Sequence, residues 1–189
     1  MDPQIKKSLI KMGWATLLLF LLVIGVGLFF RTELEQISKT LVDVLGYPGI
    51  AIGIFCADAF TLPIPPDFYL ALAISAKLNH VIVITVGSIG SILGGITAFS
   101  LGRWLGDTAF VQRLVSPFKE QGELFINRYG VGAVILAALT PIPFSMVCVL
   151  AGMMGMVWRL FLSATLFRIP RIAGYYLLIH IGWTAATGL

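Results

Sequence analysis

Two apolar segments of this chain are each interrupted by a Pro-Ile-Pro triplet: Thr61-Leu62-Pro63-Ile64-Pro65-Pro66-Asp67 and Leu139-Thr140-Pro141-Ile142-Pro143-Phe144. A proline removes a backbone donor, clashes with the preceding helical turn and biases the residue before it away from helix, so neither segment can be one continuous helix. The surrounding solvent decides what such a break means. Only 12% of the 189 residues are charged and 58% are hydrophobic, against about 25% charged in soluble domains, too few to cover a water-facing surface. The chain is therefore read as an all-α integral membrane protein. Broken backbone at membrane depth survives only where protein or a wet cavity satisfies its amides. Matched breaks in the two halves of a membrane chain point to a site at a repeat interface. Pro63, Pro65, Pro141 and Pro143 thus mark the expected functional centre.

The rest of the chain is organised around these breaks. An uncharged run from Met12 to Phe30 follows Lys6, Lys7 and Lys11 and is long enough for an uncleaved first span. Residues 31–46 place Leu34, Ile37, Leu41 and Leu45 at helical spacing, the pattern of a helix lying on the membrane surface. Residues 1–46 form this N-terminal part and 47–189 the core. The core is predicted as a re-entrant hairpin over 47–76, a span over 81–101, a second hairpin over 129–158 and a last span over about 160–185. In the middle span Gly87, Ser91, Gly95, Ala98 and Gly102 make a small-residue stripe suited to close helix packing. Residues 103–128 read as a polar loop with short surface helices.

The basic residues orient this arrangement. Lys6, Lys7, Lys11, Arg103, Arg113, Lys119, Arg128 and Arg159 fall on one side, and Arg31, Lys39 and Lys77 on the other. The excess belongs in the cytoplasm, which puts the N-terminus there and Leu189 outside. The two hairpins then enter from opposite faces, forming an inverted repeat.

Charges at membrane depth narrow the candidate chemistry, because each is expensive and needs a partner. Asp58 and Asp67 flank the first break and are candidates for proton or cation coupling; alternatively, Asp67 caps the half-helix that follows. Arg168 and Arg171, in Leu166-Phe167-Arg168-Ile169-Pro170-Arg171-Ile172, either bind an anionic head group or mark the cytoplasmic interface. On one helix they would share a face and reach either a phosphate or the two carboxylates. Thr61 and Thr140 are candidate head-group donors, or satisfy carbonyls freed by the breaks. A half-helix N-terminus also suits a phosphate. His80 and His180 are isolated and show no metal-ligand spacing. Cys56 and Cys148 lie in apolar segments as small hydrophobes. No metal, cofactor or nucleic acid is expected, and no nucleophile–base pair or phosphate loop suggests an enzyme.

Several of these features together resemble the DedA family, whose members share the VTT (SNARE-associated) domain. They are the order hairpin, span, hairpin, span; Asp58 and Asp67 around Pro63-Ile64-Pro65; Gly102-Arg103 closing the middle span; Tyr129-Gly130 opening the second hairpin; and Ala151-Gly152 followed by Phe161. The resemblance covers roughly 47–182. It implies a bacterial inner-membrane transporter that flips or scrambles anionic phospholipid or polyprenyl-phosphate carriers, coupled to protons, with a homo-oligomer allowed. Typical members carry arginines roughly where Ala138 and Phe144 stand here. Arg168 and Arg171 can supply that charge, an arrangement that looks like the YqaA-type branch. A proton- or cation-coupled carrier of a small solute, or a non-transporting assembly factor, would use the same broken helices.

Overall fold

The computed structural model describes residues 31–60 and 66–187, with side chains over 45–60, 66–109 and 111–182. The expected first span over 12–30, together with Thr61, Pro63 and Pro65, lies outside the described residues. The described residues are all-helical, without strands: α1 (Arg31–Ala59), α2 (Pro66–Ser75), α3 (His80–Leu105), α4 (Ala109–Val115), α5 (Lys119–Tyr129), α6 (Val131–Leu139), α7 (Phe144–Met153), α8 (Trp158–Thr165) and α9 (Arg168–Thr187). α1 is two helices joined across a kink at Gly46, whose φ of 51° only glycine adopts without strain, with Pro48 just beyond it. The kink falls at the boundary read from sequence between the surface helix and the core.

α3 organises the bundle. Its 26 residues span about 39 Å at 1.5 Å per residue, enough to cross a bilayer core. Among the described residues it is the single helix long and apolar enough to do so. It packs most extensively against α1 on one side and α7 on the other, and glycines make both contacts possible. A Cβ on Gly90 would lie 2.3 Å from the Ala51 carbonyl oxygen, and one on Gly102 only 2.0 Å from that of Val149. α7 answers with Gly152, where a Cβ would meet the Phe99 carbonyl oxygen at 2.1 Å. In lipid, where no hydrophobic force separates helix from solvent, such backbone approach supplies the packing energy. Of the stripe expected from the sequence, Gly102 makes this backbone approach, while Gly87 and Gly95 face the side chains of Ile54 and Phe144; the backbone approach to α1 is made by Gly90 and Gly94, outside that stripe.

Two apolar clusters flank α3. The first joins Ile50, Ile54, Leu70, Val83, Ile172 and Tyr176. The second is built on α7 and includes Phe99, Val134, Phe144, Leu150 and Phe161. Phe99 stacks on Phe161 with centroids 4.0 Å apart, which docks α8 onto α3. Arg103 ties the end of α3 to the α7–α8 turn by donating from Nη1 to the Met156 carbonyl at 2.9 Å. On the outer side of α3, Val81, Ile82, Ile89 and Leu93 remain exposed, as a lipid-facing surface requires.

The polar segment 103–128 holds the short helix α4 and most of α5, and α5 meets α6 at an angle of 114° through Gly130, where φ is 54°. The Thr140–Pro143 break then separates α6 from α7. The last apolar segment departs from the sequence reading. In place of one span beginning near residue 160, the chain breaks after Thr165 and α9 starts afresh at Arg168. Pro170 sits in the first turn of α9, where its missing N–H would have had no helical partner.

Candidate functional site

The ends of α1 and α2, the middle of α3 and the start of α9 converge on four charged side chains. Asp58 is the penultimate residue of α1 and only 3% exposed. A carboxylate there opposes the helix macrodipole and has left water, so it needs strong compensation. Arg168, 2% exposed at the opening of α9, provides it: Nη2 donates directly to Asp58 Oδ2. Ser91 of α3 closes the triangle. Its hydroxyl donates to the same Oδ2 at 2.5 Å and accepts from Arg168 Nε at 2.6 Å. The guanidinium carbon lies 4.4 Å from the centroid of the Phe144 ring, a cation–π contact that strengthens when desolvated.

Arg171, one turn further along α9, faces the second carboxylate. Its Nη2 lies 3.9 Å from Asp67 Oδ2, an ion pair beyond hydrogen-bond reach, with the two side chains 9% and 21% exposed. Its guanidinium also sits 5.0 Å from the Tyr175 ring centroid. Asp67 does not cap α2. The helix begins at Pro66, and Asp67 occupies its first turn, where a negative charge is favoured by the dipole. Two arginines in the first turn of α9 would otherwise be disfavoured by each other and by that helix's positive end; the two aspartates offset both effects.

The site thus contains four of the residues singled out in the sequence: Asp58, Asp67, Arg168 and Arg171. Arg168 is buried among the helices, and Arg171 is partly buried beside it. Thr140 is placed differently. Its hydroxyl donates to the Leu136 carbonyl of the preceding turn at 2.5 Å, a carbonyl that also accepts from the Thr140 N–H at 2.9 Å. Pro141 and Pro143 lie in the α6–α7 break, and Pro143 immediately precedes α7. His180 stacks on Tyr176 with centroids 6.1 Å apart and stands away from the charged cluster.

Three participants are not apparent from the sequence reading. Ser91 belongs to a stripe that reads as packing alone, although a hydroxyl among glycines is the available signal. Phe144 stands out in sequence only as a position without an arginine; in the fold it is the surface on which Arg168 rests. Ser88, one turn before Ser91, is 4% exposed, and among the described residues its Oγ is the buried side-chain polar atom without a hydrogen-bond partner.

These features define an all-helical bundle that presents apolar side chains outward and buries paired carboxylates and guanidiniums at interrupted helices. The match to a known family makes the assignment specific: the family model for the VTT domain matches residues 64–181, more than half of the chain. The chain belongs to the VTT-domain (DedA) family, a membrane family that is generally non-enzymatic. It is also similar to an uncharacterised protein of the archaeon Methanocaldococcus jannaschii, at 24% identity over 135 residues that cover 70% of this chain and 84% of the relative. No solved structure matches the chain.

Proposed function

We propose that this protein moves anionic lipids, or lipid-phosphate carriers, between the leaflets of a bacterial inner membrane, with protons as the coupling ion. The observation that carries the reading is the four-charge cluster of Asp58, Asp67, Arg168 and Arg171 at a broken apolar segment. Fixed charges inside a membrane bundle mark ion and substrate paths, because their burial is too costly to serve packing alone. Aspartates can exchange protons and guanidiniums can grip a phosphate; side by side, they couple the two.

In this reading the segments 47–76 and 129–158 are re-entrant hairpins entering from opposite faces, and residues 47–189 form an inverted repeat with the N-terminus in the cytoplasm. The two helix–break–helix units support it, with Thr61 and Thr140 at the breaks. A head group would travel along the seam where the breaks meet while its tails stay in lipid. Reconstitution into liposomes carrying labelled anionic and zwitterionic lipids, with and without a pH gradient, tests the proposal. Gradient-dependent movement of the anionic lipid is expected. Uptake of a small solute with no lipid movement would replace this reading with that of a solute carrier, and neither activity would leave an assembly role.

A further inference from the structure

The two ion pairs are built differently, and the difference separates their tasks. Arg168 is the more firmly held: Nε donates to Ser91, Nη2 donates to Asp58, and the Phe144 ring lies against the guanidinium. To turn Nε or Nη2 to a ligand it would have to abandon these contacts where both partners are buried, leaving polar groups unpaired. Arg171 rests near the Tyr175 ring, and its ion pair spans 3.9 Å to a carboxylate that remains partly exposed. It can turn to a new oxygen without breaking a hydrogen bond to Asp67.

A second observation marks the same level of the bundle. α3 and α9 run in opposite directions where they meet: Ser91 contacts Arg168, and a Cβ on Gly87 would lie 3.8 Å from Ile172 Cγ2. One turn from the closed triangle, Ser88 is therefore at the height of Arg171 and Ile172. Its buried hydroxyl has no partner, although buried hydroxyls ordinarily have one. The closed set Asp58–Ser91–Arg168 thus has, one turn along, the looser pair Asp67–Arg171 and an unpartnered serine at the same level.

We propose a division of labour that rests on the transport reading above. Arg168 is a positioning residue seated by Asp58, Ser91 and Phe144, and Arg171, at the level of Ser88, is the group that contacts the anionic oxygen of a phosphate. The closed triangle holds the start of α9 against the end of α1, and so sets where Arg171 stands. A lipid head group and the free anion both present that phosphate chemistry, and the experiment separates the two.

The full-length protein in detergent is compared with Ser91→Ala, Ser88→Ala and Arg171→Lys. Two quantities are read: the thermal midpoint, and calorimetric binding of dihexanoyl phosphatidic acid, inorganic phosphate and dihexanoyl phosphatidylcholine. Ser91→Ala removes a hydrogen bond to a charged pair and should lower the midpoint by about 3 to 12 °C while leaving the dissociation constant for phosphatidic acid within about twofold. Ser91→Cys, a weaker donor of similar shape, should fall between and serves if the alanine variant does not fold. Ser88→Ala should leave the midpoint unchanged. Arg171→Lys should do the same, yet weaken phosphatidic acid about tenfold, because an ammonium cannot copy a forked contact. The proposal is overturned if Ser91→Ala weakens binding as much as Arg171→Lys without a fall in midpoint, or if Ser88→Ala destabilises as much as Ser91→Ala. Binding of inorganic phosphate as tight as that of phosphatidic acid supports a free-anion site and overturns a head-group site. A wild-type protein that binds none of the probes overturns the transport reading, while the serine contrast in midpoint still decides whether Ser91 seats Arg168.

Discussion

Replacing Arg168 with methionine strands Asp58 and Ser91 in an apolar interior, and the structure sets the size of the effect. Arg168 is 2% exposed and Asp58 3%, so water cannot re-solvate the carboxylate that remains. Breaking one side of a buried ion pair costs about 3 to 5 kcal/mol, and in a chain of this length each kcal/mol lowers the midpoint by about 2 to 4 °C. Arg168→Met should therefore fall by about 6 to 20 °C. Asp58→Asn, which preserves shape but leaves the guanidinium unpaired, should fall by a similar amount. The double variant Asp58→Asn, Arg168→Met has no charge to strand, and its thioether can rest on the Phe144 ring. It should recover most of the lost stability, since buried pairs are often replaceable by apolar groups at little net cost. The midpoint of the four proteins, followed by tryptophan fluorescence in one detergent, completes a double-mutant cycle. Additive losses, with the double variant falling by the sum of the singles, would refute the claim that these two groups stabilise the fold through each other. Lipid transport by the recovered double variant would in addition remove Asp58 as the coupling group.

Three further outcomes follow from the geometry. Gly102→Ala places a methyl 2.0 Å from the Val149 carbonyl oxygen and should cost about 1 to 3 kcal/mol or more by forcing α3 from α7; an unaltered melting curve would contradict the close crossing. Gly174→Ala meets nothing within 4 Å and should be neutral or stabilising by up to about 1 kcal/mol, as alanine is the better helix former, which the same melting assay reads. A cysteine at the exposed Ser116 should be shielded from impermeant maleimide in intact cells, and its labelling from outside would reverse the orientation proposed for the chain.

The sequence alone determined where this chain can and cannot be helical. Proline chemistry is local, so Pro141 and Pro143 end α6 and delay α7 whatever surrounds them. Composition likewise excluded a water-facing surface, and glycine spacing in 81–101 foretold close packing, because periodicity along a helix translates directly into a face. The high cost of burying a charge also made Asp58, Asp67, Arg168 and Arg171 conspicuous from their apolar neighbours in the chain alone. Other features depended on contacts between residues far apart in the chain. The two carboxylates were legible as possible partners of the arginines, but not that Arg168 takes Asp58, 110 positions away, or that Ser91, 77 positions away, bonds to both. Nor does local sequence show that Phe144 is the ring beneath it. The break after Thr165 lacks a proline or glycine signal of its own and accompanies the separate docking of α8 through Phe161 and of α9 through its arginines. Pairing among buried charges is chosen by which helices meet and at what height, and that is decided only when α1, α3 and α9 pack.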